Sequence, residues 1–542
     1  MYQPNKYYKY NEIVNLLENW KEHFPDNFDY KPIGKSYEGR DIFATILTSD
    51  LSNYKDKPAY YIDANHHAGE VTGSSTALYT INYLLNNQSD KKVNYLLNNY
   101  TFFIVPRIAV DGSELYLTSA FSLRSSTKEY SPALDKGLIQ KDIDDNGKIL
   151  QMRFKSEVGN YKISDKDPRV MVKRQPDDVD GEFYEVVTEG LIEDFDGVEI
   201  KKDRSKWGLD FNRNYPQGWN PEHIQKGAGI YPLSETETRS VADFILENTN
   251  IAGAMSYHTY GGVILRPYCT KSDKEMNKND LKFFKELGEI GEDLTDYPCW
   301  SIFEKFTMDK NNPSAGSFID FTYDYLGITC FATELWDIRA KAGLDKITFQ
   351  QRLDQTIKEK EEDQIKLLKY NDEYFDGKLF INWYKADHPQ LGEVEVGGWD
   401  RKFSFQNPPE KLLEDVCHKN MMFTFSHALS MPKVDLEVKN VCKESDKVYK
   451  LDLVVFNKGA LNTSGSNLAK KLDKFNNIEI KVEGDIEVIG EKMYKIDSLE
   501  GYQKKKISFV VMTRNDKSVN VIVNSKRAGV VCKKVNLELE RN

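Results

Sequence analysis

The stretch Tyr60-Tyr61-Ile62-Asp63-Ala64-Asn65-His66-His67-Ala68-Gly69-Glu70 constrains this chain more than any other. An apolar run that ends in His67-x-x-Glu70 and passes into the helical pattern Val71 to Leu85 sets an imidazole and a carboxylate at a strand's carboxyl end. Open α/β sheets hold their ligands in the crevice at that end. One neutral nitrogen and one anionic oxygen make two-thirds of a catalytic zinc site of the His2Glu type. The same pattern also arises by chance, as a polar loop whose Glu opens a helix. The reading therefore depends on residues far along the chain.

The surrounding pattern predicts a doubly wound, mixed α/β sheet. Ile13, Leu16, Leu17 and Trp20 recur at helical spacing, an amphipathic helix over 9–22. A glycine-bearing turn, Gly34 to Arg40, precedes the strand Ile42–Leu47, and Tyr100 to Pro106 is a further buried strand. Strands alternating with helices in this way build doubly wound sheets. A chain of 542 residues exceeds one ordinary core and predicts two or three domains. The expected division is a catalytic domain over 1–372, a connector packed on it over 373–432, and a β-sandwich over 433–542. The first is interrupted by a charged insertion at 127–203 and closes on a helix expected over Thr348–Tyr370. The sandwich is predicted from the short alternating strands Val434–Val438, Lys450–Val455 and Ile507–Val511.

A net charge of −11 and a pI near 5.5 argue against a nucleic-acid partner. Six cysteines without paired spacing read as reduced, mostly buried thiols. No stretch has the length of a signal peptide's apolar core or of a membrane span, and no obvious prosegment precedes the domain. The expectation is a cytoplasmic protein made in active form. Within the insertion, Asp142, Asp144, Asn146 and Gly147 match the front half of an EF-hand-like calcium loop. Arg153 stands where the bidentate Glu belongs, so calcium would need a ligand from elsewhere, Asp165 or Asp167. An Asp-Asn-Gly turn without an ion is the alternative.

Four distant stretches decide the reading of the first: Asp111-Gly112 with Arg124 thirteen residues after the Asp, Leu209-Asp210-Phe211-Asn212-Arg213, Ser256-Tyr257-His258-Thr259-Tyr260, and Phe331-Ala332-Thr333-Glu334. In this order they resemble the zinc carboxypeptidase family, the group of carboxypeptidases A and B, over residues of about 8–370. The resemblance implies one zinc per chain held by His67, Glu70 and His258, with Glu334 as general base and acid. It implies Arg124 as the cation that polarises the scissile carbonyl, and Asn212 with Arg213 as the grip on the substrate's terminal carboxylate. Asp210 becomes the acid behind a zinc histidine, and Tyr260 a tyrosine lining the cleft. The substrate implied is a peptide with a free C-terminus.

The chain departs from the family pattern at three places. Gly69 stands where a subsite arginine is common, Ala109-Val110 replaces Asn-Pro, and the mobile tyrosine falls near Asn312. Ile319, before Asp320, matches the floor of the specificity pocket and favours an apolar C-terminal residue. A peptidase for non-standard amide bonds, in cell-wall peptides or glutamylated tails, is the variant within this class. A module that binds C-terminal carboxylates without cleaving them, and a carbohydrate-binding protein led by the sandwich, are the alternatives from other classes. Glu334 argues against the first of these, since a binder has no use for that acid.

Overall fold

Eight strands form the central mixed sheet, in the spatial order Phe28–Lys35, Asp41–Leu47, Thr101–Val105, Ala59–Ala64, Ile251–Thr259, Thr329–Leu335, Val263–Arg266 and Cys299–Ser301. The protein is seen here as a computed structural model that describes residues 1–130, 137–198, 200–201, 205–472, 477–514 and 517–537. The four strands from Thr101–Val105 to Thr329–Leu335 run parallel, with antiparallel pairs on either side. Every residue of Ala59–Ala64 and Ile251–Thr259 is buried, because helices cover both faces. Tyr60 meets His427 on one face, while Tyr61 meets Phe244 and Phe318 on the other. This is the alternation of a strand buried twice.

The helix Val71–Asn86 packs directly on the strands Ala59–Ala64 and Ile251–Thr259. A side chain at Gly73 would place its Cβ 2.9 Å from the Tyr257 carbonyl, so glycine sets how close the two approach. Beside it lies Leu413–Ser430, a helix that the sequence reading missed in its expected connector. Cys417, Met421, Phe423, Phe425 and His427 are all buried there, and the main core runs on to Met431. Polar Asn420, Thr424 and His427 lie on the face that the helix buries, so the apolar stripe that would betray it is broken.

Two further differences follow from local chemistry. The helix expected over Thr348–Tyr370 is two helices, Phe349–Asp354 and Ile357–Phe375. Thr356 breaks the run, because with Glu359 it forms a capping box that starts the second helix. The insertion and the expected connector share one six-stranded sheet, in which Gly392–Trp399 pairs with Gln151–Lys155. The connector strands Phe380–His388 and Gly392–Trp399 are thus part of an accessory sheet, while its helix belongs to the main core.

The residues from Val434 fold into two four-stranded antiparallel sheets around a core of their own. The strands Val434–Ser445, Val448–Asn457 and Lys504–Thr513 contain the three that the alternation predicts. Of the six cysteines, all free, only Cys269, Cys330 and Cys417 are buried. No helix is long and apolar enough to cross a membrane among the described residues.

Candidate metal centre and cleft

The parallel register brings the site together. His258 pairs with Glu334 across neighbouring strands, and Ala64, just before the His67 loop, pairs with Tyr257. At this edge His67 Nδ1 lies 2.9 Å from Glu70 Oε1, His258 Nδ1 lies 2.9 Å from Glu70 Oε2, and the two nitrogens are 3.2 Å apart. All three side chains are buried.

Their outer hydrogen bonds decide which atoms face inward. His67 Nε2 donates to Asp210 Oδ1 at 3.1 Å, which leaves an unprotonated lone pair on Nδ1. The Ser256 hydroxyl donates to Asp63 at 2.6 Å, so its oxygen accepts from His258 Nε2 at 3.3 Å. The Nδ1 lone pair of His258 then also points inward. Two lone pairs and a carboxylate converging on one point leave a surplus of acceptors that a divalent cation satisfies. A zinc histidine whose other ring N–H is held by a carboxylate, as His67 is by Asp210, is the usual arrangement. The donor set therefore fits zinc.

The electrostatics follow from burial and charge. Burial opposes the Glu70 charge, but His67 and His258 hold its carboxyl below the ordinary range. Burial also opposes that of Asp210, and Arg124, Arg213 and His67 hold it well below. Glu334 moves the other way. Burial, and then the charge of Glu70, push it up to about 8 against the pull of His258, Arg124 and Arg213.

The loop that carries Arg124 is bolted to the metal loop. Ala68 N donates to Arg124 O at 2.7 Å, and Ser125 Oγ donates to His66 O at 2.8 Å. Ser125 Oγ also accepts from Phe211 N at 3.1 Å, so one hydroxyl ties three loops. A Cβ on Gly112 would lie 2.1 Å from Ser125 O and 2.7 Å from Ala68 Cβ, which only glycine allows. Arg124 Nε donates to Asp210 Oδ2 at 2.9 Å, and its Nη1 is 3.8 Å from Glu70 Oε1. Asp111 accepts from Ser36 Oγ, Glu38 N and Arg40 Nη1, which fastens the Gly34–Arg40 turn to the same region.

Asn212 and Arg213 lie on a single helical turn, where Asn212 Oδ1 accepts from Phe318 N at 2.8 Å. Ile319 is buried in the main core on the short helix Phe318–Asp320. Burial pushes its neighbour Asp320 up to about 7 even though the carboxylate accepts from Cys269 N. Tyr260 lines a cavity that His258 does not reach, and Asn312 is exposed on the loop before Gly316.

Asp142 and Asp144 meet Glu189, and not Asp165 or Asp167, as the loop reading expected. Asp167 is occupied by Arg169 at 2.7 Å. The Glu189 oxygens accept from Ile143 N and Leu150 N, the Asp142 oxygens from Asn146 N and Gly147 N, and Asn146 Oδ1 from Lys148 N. The turn is closed by its own backbone.

Sequence reasoning missed Ser256 and Asp63 behind His258, and Gln406, whose Nε2 donates to Thr259 Oγ1 at 3.1 Å. The lone acid in the apolar run Tyr60–Ala64 was the available signal for Asp63. Gln406 carried none.

Residues 13–364 match a sequence profile described as zinc carboxypeptidase, and residues 433–536 match a domain of unknown function. The chain is similar to a zinc carboxypeptidase of Simulium vittatum, 23% identical over 352 residues, 62% of this chain and 87% of that protein. It is also similar to carboxypeptidase O of Bos taurus, 22% identical over 289 residues, 52% of this chain and 57% of that one. It thus spans most of the first relative and little over half of the second. A crystal structure of thrombin activatable fibrinolysis inhibitor aligns with a TM-score of 0.46 at 17% identity, over 78% of this chain and 74% of that one.

Proposed function

Since this chain belongs to the zinc carboxypeptidase family, a zinc metallocarboxypeptidase by kinship and by donor set, we propose that it removes the C-terminal residue from peptides at the His67–Glu70–His258 centre. The observation that carries this reading is the inward convergence of two imidazole lone pairs and a carboxylate beside Glu334 and Arg124. Bound there, zinc lowers the pKa of water and polarises a carbonyl.

Every other part is assigned to the protein's own groups. Arg213 presents a planar fork that takes a carboxylate through two parallel hydrogen bonds, and Asn212 beside it adds an amide. This contact makes the enzyme measure from the free C-terminus. Glu334 accepts the proton of the attacking water and returns it to the leaving amine. Arg124 faces the negative charge that develops on the carbonyl oxygen, an interaction worth about 2.7–4 kcal/mol for a well-placed donor. Asp210 keeps His67 in the tautomer that binds metal and holds Arg124 by the same carboxylate. Ile319 favours an apolar C-terminal side chain.

The test is zinc content of the purified chain measured together with release of Phe, Lys, Glu and diaminopimelate from the C-terminus of blocked peptides. One zinc per chain with fastest release of Phe supports the reading. One zinc with Glu or diaminopimelate released first retains the mechanism and overturns the apolar preference. No zinc uptake overturns the site itself.

A further inference from the structure

A cavity of about 490 Å³ opens beside Tyr260, and none of Asn212, Arg213 or Ile319 lines it. Its walls are built from the insertion, from the two helices after Thr348 and from the accessory strand that ends at Trp399. Six cations, Arg169, Lys173, Arg339, Arg352, Lys360 and Arg401, line it against two carboxylates, Glu361 and Asp363. Some of this charge is already matched. Arg169 pairs with Asp167 and Asp372, Arg339 with Asp363, and Glu361 with Lys166. Among the described residues Lys173, Arg352, Lys360 and Arg401 have no carboxylate within ion-pair distance, an excess of positive charge in a chain whose net charge is −11.

Arg352 marks the centre of this imbalance. Its Nε is buried and has no hydrogen-bond partner. Burial and the like charge of Arg339 work against its guanidinium. A buried donor left unpaired is unfavourable, and a bound anion removes that penalty. Arg401 is held within the cavity, where its Nη2 donates to the Tyr260 hydroxyl at 3.5 Å and its guanidinium stacks on Phe405 at 5.2 Å. Tyr260 in turn is two residues from His258. None of the groups assigned to the terminal carboxylate or the metal lines this cavity, and Tyr260 ties it to the strand end that carries His258.

We infer that the cavity is a subsite for acidic side chains of the peptide, upstream of the bond that is cut. The inference rests on the carboxypeptidase reading above and adds the class of peptide that the enzyme prefers. Segments outside the central sheet thereby acquire a role: the insertion supplies Arg169 and Lys173, the two helices after Thr348 supply Arg352 and Lys360, and Arg401 follows the accessory strand.

Two blocked peptides with the same C-terminal residue test it, one with glutamates at the upstream positions and one with glutamines. The zinc-loaded full chain is expected to show kcat/KM about fivefold to tenfold higher for the glutamate peptide at low salt, a gap that narrows in 0.5 M salt, where the Debye length is about 4 Å against about 30 Å at 0.01 M. The ratio of the two rates is expected to fall towards one in Arg352→Gln with Arg401→Gln, and to survive largely in Arg352→Lys. Equal rates for the two peptides, or a ratio that the double variant leaves in place, overturn the subsite. Failure to cut either peptide overturns the carboxypeptidase reading instead. Calorimetric binding of the two peptides to the same chain then decides the cavity separately: tighter binding of the glutamate peptide supports it, and equal binding overturns it.

Discussion

At the scale of single residues, the metal cluster is set by what lies behind it. Asp210 and the Ser256–Asp63 pair each fix one imidazole, and neither touches the centre itself. Asp210→Asn keeps the shape but loses the charge, and its amide can present a donor to His67. Zinc affinity, measured by chelator competition, is expected to fall about 10- to 100-fold. Unchanged affinity in that variant would remove Asp210 from the account. Glu334→Gln has the opposite signature. It is expected to keep its zinc and to lose about 100- to 10,000-fold in kcat, because only the proton carrier is gone. Activity close to wild type in a zinc-loaded Glu334→Gln protein is the result that sinks its role. His67, Glu70 and His258 were legible because ligands at strand ends interrupt apolar runs with polar residues. Asp63 was not, since one acid inside such a run reads as noise until its partner Ser256 is seen across the sheet.

At the scale of elements, the catalytic strands were legible and the parts that support them were not. Ile42–Leu47, Tyr60–Ala64 and Ile328–Ala332 announce themselves as apolar runs bounded by turns, and the structure places strands at all three. The helix Leu413–Ser430 shows no clear period because polar Asn420, Thr424 and His427 lie on the face it buries against the sheet, Val71–Asn86 and Lys278–Thr295. Its burial has a measurable consequence at His427, whose ring lies between the Tyr60 hydroxyl at 2.7 Å and the Thr329 hydroxyl at 3.1 Å. Burial lowers its pKa from an ordinary 6.5 to about 3. The unfolded chain takes up this proton as pH falls through 6.5, whereas the folded chain does so only near 3. The stability is therefore complete above pH 6.5 and is lost as the pH falls towards 3, by about 1.4 kcal/mol per pH unit. His427→Gln removes this one titration. Its urea midpoint, followed from pH 7 to pH 4, is expected to fall less steeply than that of the wild type. Parallel slopes would mean that His427 is protonated in the folded chain.

At the scale of the molecule, Arg527 and Asp280 are the buried charged groups that join the C-terminal sandwich to the catalytic layer. Arg527, 1% exposed, donates from Nη1 to the carbonyls of Gly327 and Ser464, each at 3.0 Å, and from Nη2 to that of Leu326 at 2.7 Å. Asp280 of the helix Lys278–Thr295 accepts from the backbone of Asn467 and Leu468, and from Tyr323 on its own side. The contact is close as well as polar, since a Cβ on Gly327 would lie 2.7 Å from Ala469. A cation buried against three carbonyls has no shorter substitute: Met fills the volume and leaves the carbonyls unmatched, at a cost of about 2–4 kcal/mol. The alternation of Val434–Val438 and its partners made this module legible, but a dock built from backbone carbonyls leaves no trace in a sequence. If the two parts unfold together because of this dock, calorimetry of the zinc-loaded chain gives one transition. Arg527→Met is expected to split it in two, with the sandwich melting first. A single transition at an unchanged temperature in that variant would place the coupling elsewhere, in the continuous chain through Met431–Val434 and in the Val530 N to Asp56 O bond at 2.7 Å, which alone would then suffice to hold the two parts as one.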